Sequence, residues 1–323
     1  MLLRLWPEDT HLPFMSFRFL ALSASVVVLL ASVAMLGLRG LNLGIDFAGG
    51  SVIEIVQPEG QTADDVRSAL SGLDLGDVSI NSARGTGVDA VDLTVIRFET
   101  QVPKEGEDIE SAQQNANNRV RDALSAAFEG VEFRSSAAVG PKVSGELLRS
   151  GVTALVVALL LMMVYISLRF QWQYAVGAVA ALFHDVLITM GVFALTGFEF
   201  NLATIAALLT IVGYSMNDTV IVFDRVREET RKYKKMELGK VVDLAINATM
   251  SRTLLTSSTT LLALVSIFVF GGAVLRGMSF ALIFGVIIGT YSSIFIASAV
   301  LLLLGIDRGD KPKKEVEGFQ GVG

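Results

Sequence analysis

Leu202-Ala203-Thr204-Ile205-Ala206-Ala207-Leu208-Leu209-Thr210-Ile211-Val212-Gly213-Tyr214-Ser215-Met216-Asn217-Asp218-Thr219-Val220-Ile221-Val222-Phe223 decides the fold. The run carries one charged side chain, Asp218. As a helix it is about 33 Å long, enough to cross a hydrocarbon core of about 30 Å. Five more runs of this kind lie around it: Phe17–Gly37, Val152–Leu168, Tyr174–Thr196, Leu254–Phe270 and Met278–Leu304. The first could be a cleaved signal peptide, since Ser32-Val33-Ala34 loosely resembles a cleavage site. Its apolar core of about 20 residues exceeds the usual 7–15, so it reads as an uncleaved span.

Composition agrees with six spans. The 323 residues are 52% hydrophobic and 18% charged, with a mean hydropathy of +0.58, whereas soluble domains are about 25% charged. A soluble enzyme, a disordered tail protein and a secreted disulfide scaffold are excluded. With no cysteine, thiolate metal sites and thiol catalysis are excluded as well. Two histidines argue against a histidine-rich metal centre. The net charge of −6 argues against nucleic acid as a partner. No cofactor is expected.

Basic residues set the orientation. The stretch Asp224–Arg252, read as a loop, holds Arg225, Arg227, Arg231, Lys232, Lys234, Lys235, Lys240 and Arg252, and four more basic residues follow Gly305. The short connection 197–201 holds none, and 271–277 holds only Arg276. Both termini (1–16 and 305–323) and the basic loop 224–252 are therefore expected in the cytoplasm. The polar stretch 38–149 is expected outside, in a bacterium the periplasm, because long domains cross largely regardless of charge. The alternating signs from Asp224 to Glu229 fit a surface helix with pairs three and four residues apart. Its basic excess fits an orientation signal lying near anionic lipid.

Within the outside stretch, period-2 alternation predicts strands at 51–57, 77–83, 90–98 and 131–139. Helical period predicts helices at 62–70, capped by Thr62, and at 107–128. A turn is expected from Arg84 to Gly87. The order βαββαβ is the ferredoxin-like pattern. With 10 basic and 18 acidic residues the domain is acidic and well solvated. Nothing in it looks catalytic, and it reads as a binding or lever module. The fold class is thus a polytopic α-helical membrane protein: six transmembrane helices at 17–37 and within 150–304, and an α+β domain between helices 1 and 2.

Charges inside spans are expensive and so informative. His184 and Asp185 lie in the third span, and Asn217 and Asp218 in the fourth. Arg252 stands at the mouth of the fifth, before a hydroxyl-rich entry, Thr253 and Thr256 to Thr260. Burial opposes ionisation of a carboxyl and a nearby guanidinium favours it. Asp218 with Arg252 therefore reads either as a proton-responsive switch or as a buried ion pair that locks two helices. Being adjacent, His184 and Asp185 should point about 100° apart, so that one lines the polar seam and the other bonds a neighbouring helix. His184 reads as a proton relay or as a structural hydrogen bond. Gly285, Gly289, Ser292 and Ser293 form a small-residue stripe for helix packing, with no catalytic weight.

Three stretches resemble one family. Gly44-Ile45-Asp46-Phe47-Ala48-Gly49-Gly50 resembles the glycine motif of the SecD/SecF family, within the RND superfamily. Gly213 to Glu228 is similar to the fourth-span signature of its SecF branch, and Ser251 to Ser257 to the opening of the fifth span. No key position departs. The resemblance implies a six-span subunit that pairs with SecD into a twelve-span unit at the SecYEG channel, with YajC as a further partner. The pair would use the proton motive force to pull unfolded precursor protein outward across the inner membrane late in translocation. It implies proton-path roles for Asp218 and Arg252; Asn217, His184 and Asp185 are secondary candidates from their place inside the spans. Gly44, Asp46, Gly49 and Gly50 would serve as a hinge or as tight turns. An RND-type small-molecule transporter and a passive partner of the channel are the alternatives. Six spans with one domain make half the usual RND set.

Overall fold

The computed structural model describes residues 10–57, 60–83, 91–103 and 106–306. The turn expected from Arg84 to Gly87, the first nine residues and the tail beyond 306 lie outside the described residues. Among the described residues, six helices are long and apolar enough to cross a membrane. A 3-10 turn, Phe14–Phe17, leads into α1 (Arg18–Arg39). Two short elements follow, β1 (Asn42–Leu43) and α2 (Ile45–Ala48).

The α+β domain then runs β2 (Gly50–Val56), α3 (Ala63–Leu70), β3 (Val78–Ala83), β4 (Leu93–Phe98), α4 (Ile109–Ala127) and β5 (Phe133–Val139). This is the expected βαββαβ order. The sheet order β3-β4-β2-β5, antiparallel throughout, puts the first and third strands of the domain in the centre. Ile53, Ile55, Ile80, Ile96 and Phe98 meet Val66 and Leu70 of α3 and Val120 and Leu124 of α4. The alternation that buries Ile96 and Phe98 turns Arg97 to the other face. Thr62 caps α3 in a reciprocal box with Asp65, and Asp108 caps α4 through Ser111 N.

The remaining spans are α5 (Pro141–Arg169), α6 (Trp172–Thr196), α7 (Leu202–Lys232), α8 (Leu238–Phe270) and α9 (Gly272–Ser292). The last continues through a π turn (Ser293–Ala297) into α10 (Ser298–Leu304). Between α6 and α7, β6 (Glu199–Phe200) pairs in parallel with β1. The expected loop 224–252 is a correction: α7 and α8 occupy it, leaving only Tyr233–Glu237 between them. Ion pairs from Arg225 to Glu228 (2.8 Å) and Glu229 (2.7 Å) support the extension of α7. The expected domain boundary at 149 also moves, because α5 starts at Pro141, directly after the sheet.

The bundle core is built from α6, α7 and the α9–α10 helix, more than half buried, while α1, α5 and α8 show most of their surface. Gly285 and Gly289 let α9 close on α7. A side chain at 285 would strike Ile211, and one at 289 would stand 3.0 Å from Ser215 Cβ. The expected small-residue stripe therefore packs inside the bundle. At the end away from the domain, Phe170 stacks on Tyr174 and both meet Phe223 edge to face. There too the N-terminal segment docks on α8, with Asn247 bonding both Leu12 N and Leu12 O, and Asp243 accepting from Met15 N.

Candidate functional site

Two buried aspartates face the interior of the bundle. Asp185, on α6, is 0% exposed. Its Oδ2 accepts from Ser215 Oγ of α7 (2.6 Å) and from Ser292 Oγ of α9 (2.7 Å). Its Oδ1 lies 3.0 Å from His184 Nδ1. His184 turns its ring back to the carboxylate beside it, while Asp185 bonds the neighbouring helices. His184 Nε2 is buried without a partner, and the ring lies against Tyr291, centroids 6.1 Å apart. Tyr291 in turn reaches Ser25 (2.9 Å) and the Ala21 carbonyl (3.0 Å) of α1. Ser292 immediately precedes the π turn, an irregularity often found at functional positions. To the packing expected of it Ser292 adds a hydrogen bond across to α6.

Asp218 lies three residues after Ser215, on the same face of α7. It is 1% exposed, and neither carboxyl oxygen has a hydrogen-bond partner. Asn217 points outward and is exposed. Arg252, exposed on α8, is within electrostatic reach of Asp218 but makes no hydrogen bond to it. Beside Arg252, Thr253 Oγ1 is buried and unpartnered. One turn on, Ser257 bonds Thr290 of α9 (2.8 Å) and accepts from Tyr214 (3.4 Å). The hydroxyl-rich entry of the fifth span thus lines a polar seam running from α8 through α7 and α9 to α6.

The glycine motif lies at the junction of domain and bundle. Gly49 and Gly50 take φ of +75° and +110° in the turn from α2 into β2, and a side chain at 50 would stand 2.5 Å from Phe98 O. Asp46 Oδ2 accepts from Leu202 N at the start of α7 (2.9 Å), and Phe47 packs with Phe193 and Phe200. Gly44 leaves room for Glu199, whose carboxylate its Cβ would strike. Glu199 is ion-paired to Arg97 of the sheet. Burial pushes the Glu199 carboxyl above its ordinary value, the Arg97 guanidinium pulls it back, and Asp46 and Glu54 push it up again. Sequence reasoning missed Glu199, Arg97, Tyr291 and the bonding role of Ser292. An acid in a five-residue connection between two spans was a usable signal for Glu199.

Comparisons place this geometry. The family model described as protein export membrane protein SecD/SecF, C-terminal, matches residues 119–307, and the SecD/SecF GG motif matches residues 34–56. The chain belongs to the SecD/SecF protein-export family. Within it, the chain is 46% identical over 319 residues to the protein translocase subunit SecF of Cereibacter sphaeroides, covering 98% of this chain and 97% of that one. It is 45% identical to the SecF of Rhodobacter capsulatus, covering 98% and 96%. The crystal structure of SecDF from Thermus thermophilus superposes with a TM-score of 0.80 at 30% identity, over 93% of this chain and 39% of that one. SecDF in a super-membrane-facing form matches with a TM-score of 0.66 at the same identity and coverage. The chain thus spans about two fifths of the SecDF polypeptide.

Proposed function

We propose that this chain is the SecF-type half of a proton-driven protein-export unit in the bacterial inner membrane. It works with a SecD-type partner beside the SecYEG channel, on precursor protein emerging in the periplasm. Both termini are cytoplasmic and the α+β domain is periplasmic. The match to 39% of a SecDF chain supports a partner that supplies the rest. So do the exposed Arg252 and Asn217, polar groups that a partner helix would cover better than lipid.

One observation carries the reading: Asp218 is buried in a spanning helix with both carboxyl oxygens unpartnered. A buried charge without partners is costly, so an unpaired buried acid points to a functional role. Asp218 would take up a proton from one side and release it to the other, with Arg252 favouring the charged form between. One proton crossing 100 mV supplies about 2.3 kcal/mol, a bias of roughly 50-fold between two states. That is enough to tilt α7 and the elements fixed to it.

Export of a stalled precursor into membrane vesicles, with and without an imposed proton gradient, tests this. Asp218→Asn should assemble normally and lose the gradient-dependent increment. Stimulation at the wild-type level in that variant refutes the proposal.

A further inference from the structure

Between the buried carboxyl of α7 and the four-stranded sheet lies a joint in which three contacts matter most. The parallel β1–β6 pairing holds Asn42 to Glu199 and Leu43 to Phe200. Asp46 caps the first amide of α7. The third contact is the ion pair from Arg97 Nη2 on β4 to Glu199 Oε2 on β6, a direct link from the sheet to the α6–α7 connection. Both side chains are about three-quarters buried, at 27% and 24% exposure. Arg97 Nε is buried without a partner, so the guanidinium's bond in the joint is the one to Glu199.

Glu199 stands three residues before α7, whose capping box at Asn201 and Thr204 fixes the helix start. From Leu202 to Asp218 is a rigid helical path of about 24 Å. A shift or rotation of α7 at Asp218 therefore arrives at Glu199, where the sheet is held through Arg97. The first glycine of the motif serves the same carboxylate, since a methyl group at 44 would occupy its place and approach Asn201 Cβ to 3.0 Å.

We propose that Glu199 is the coupling residue of the chain, a positioning residue through which the Arg97 ion pair transmits movement of α7 to the α+β domain. This rests on the proton-driven reading above. It adds that export requires this pair even though proton uptake does not.

The test uses the full chain with its SecD-type partner in membrane vesicles. Arg97→Gln, Glu199→Gln and the charge swap Arg97→Glu with Glu199→Arg are compared, with Gly44→Ala as a second route to displacing the carboxylate. Exposed pairs contribute little and buried ones several kcal/mol. For this intermediate pair each single variant should lower gradient-stimulated export about tenfold. Proton flux should persist, and the swap should recover most of the export. Because the chain has no cysteine, spin labels at Ser79→Cys on the sheet and Thr196→Cys at the end of α6 report the joint directly. Their distance distribution should broaden in the single variants and narrow again in the swap. Wild-type export in Glu199→Gln, or label distances unchanged by loss of the pair, overturns the proposal. If Asp218→Asn exports normally, the proton-driven reading falls. The label distances then still judge the joint, and unchanged distances reject it.

Discussion

Asp185 and Asp218 are equally buried and a helix apart, yet they are built in opposite ways. Asp185 receives two serine hydroxyls from two other helices and a histidine nitrogen from its neighbour. Asp218 receives nothing. A satisfied buried carboxylate fixes helices relative to one another. An unsatisfied one is costly in a single arrangement and useful only where its surroundings change. The difference suggests a division of labour in which α6, α7 and α9 are pinned at Asp185 while the turn of α7 that carries Asp218, next to α8, is left free to respond.

Exchanging the roles breaks this comparison most directly. Asp218→Asn should abolish gradient-stimulated export, removing a bias of roughly 50-fold. Its thermal unfolding in detergent should stay within about 1 kcal/mol of wild type. Asp185→Ala should do the reverse at first order. Ser215 and Ser292 lose their shared acceptor in a buried place, and stability should drop by about 3 kcal/mol. A normal melting curve for Asp185→Ala would erase the distinction. Ser292→Ala removes one of the two donors and should cost about 1–2 kcal/mol, read in the same unfolding experiment. Equal losses for Ser292→Ala and Asp185→Ala would place the whole pin on α9.

The six spans were legible because charge-free runs of this length have few other uses, and the domain because alternation and helical period change at the right places. Helix ends were not. The alternating charges from Asp224 to Glu229 read as a surface helix inside the loop, and Arg225 does pair with Glu228 and Glu229, but as a continuation of the spanning helix well beyond the apolar stretch. The Asp185 network was only half legible. Serines in spanning helices usually bond their own backbone four residues back, as Ser266 does to Leu262 O. Nothing local marks Ser215 and Ser292 as cross-helix donors. The pairing of Asp218 with Arg252 follows from their positions in the spans and the family resemblance reinforces it; the structure shows electrostatic reach without a hydrogen bond. Glu199 carried a usable signal, but its pairing with Arg97 was beyond reach because 102 positions separate them.

The exposed aspartates of the domain sharpen the contrast from the other side, with the smallest effect. Asp65 and Asp108 cap α3 and α4, and both are held below the ordinary carboxyl value, first by backbone hydrogen bonds from Thr62 and Ser111 respectively. For a group whose value is lower in the folded state, the stabilisation is fully present above the unfolded value, here 3.8. It is lost as pH falls through the folded value. Amide exchange in α3 and α4 of the full chain, corrected for intrinsic rates, should therefore show protection that is constant near pH 6 and falls below about pH 4. Asp108→Asn keeps a capping oxygen without the charge. It should weaken α4 slightly at neutral pH and flatten its acid response, leaving α3 unchanged. An acid response in α4 that persists undiminished in Asp108→Asn would assign it to another carboxyl. These caps titrate in contact with water and hold one helix end each, whereas Asp218 is buried inside the bundle with neither carboxyl oxygen hydrogen-bonded among the described residues.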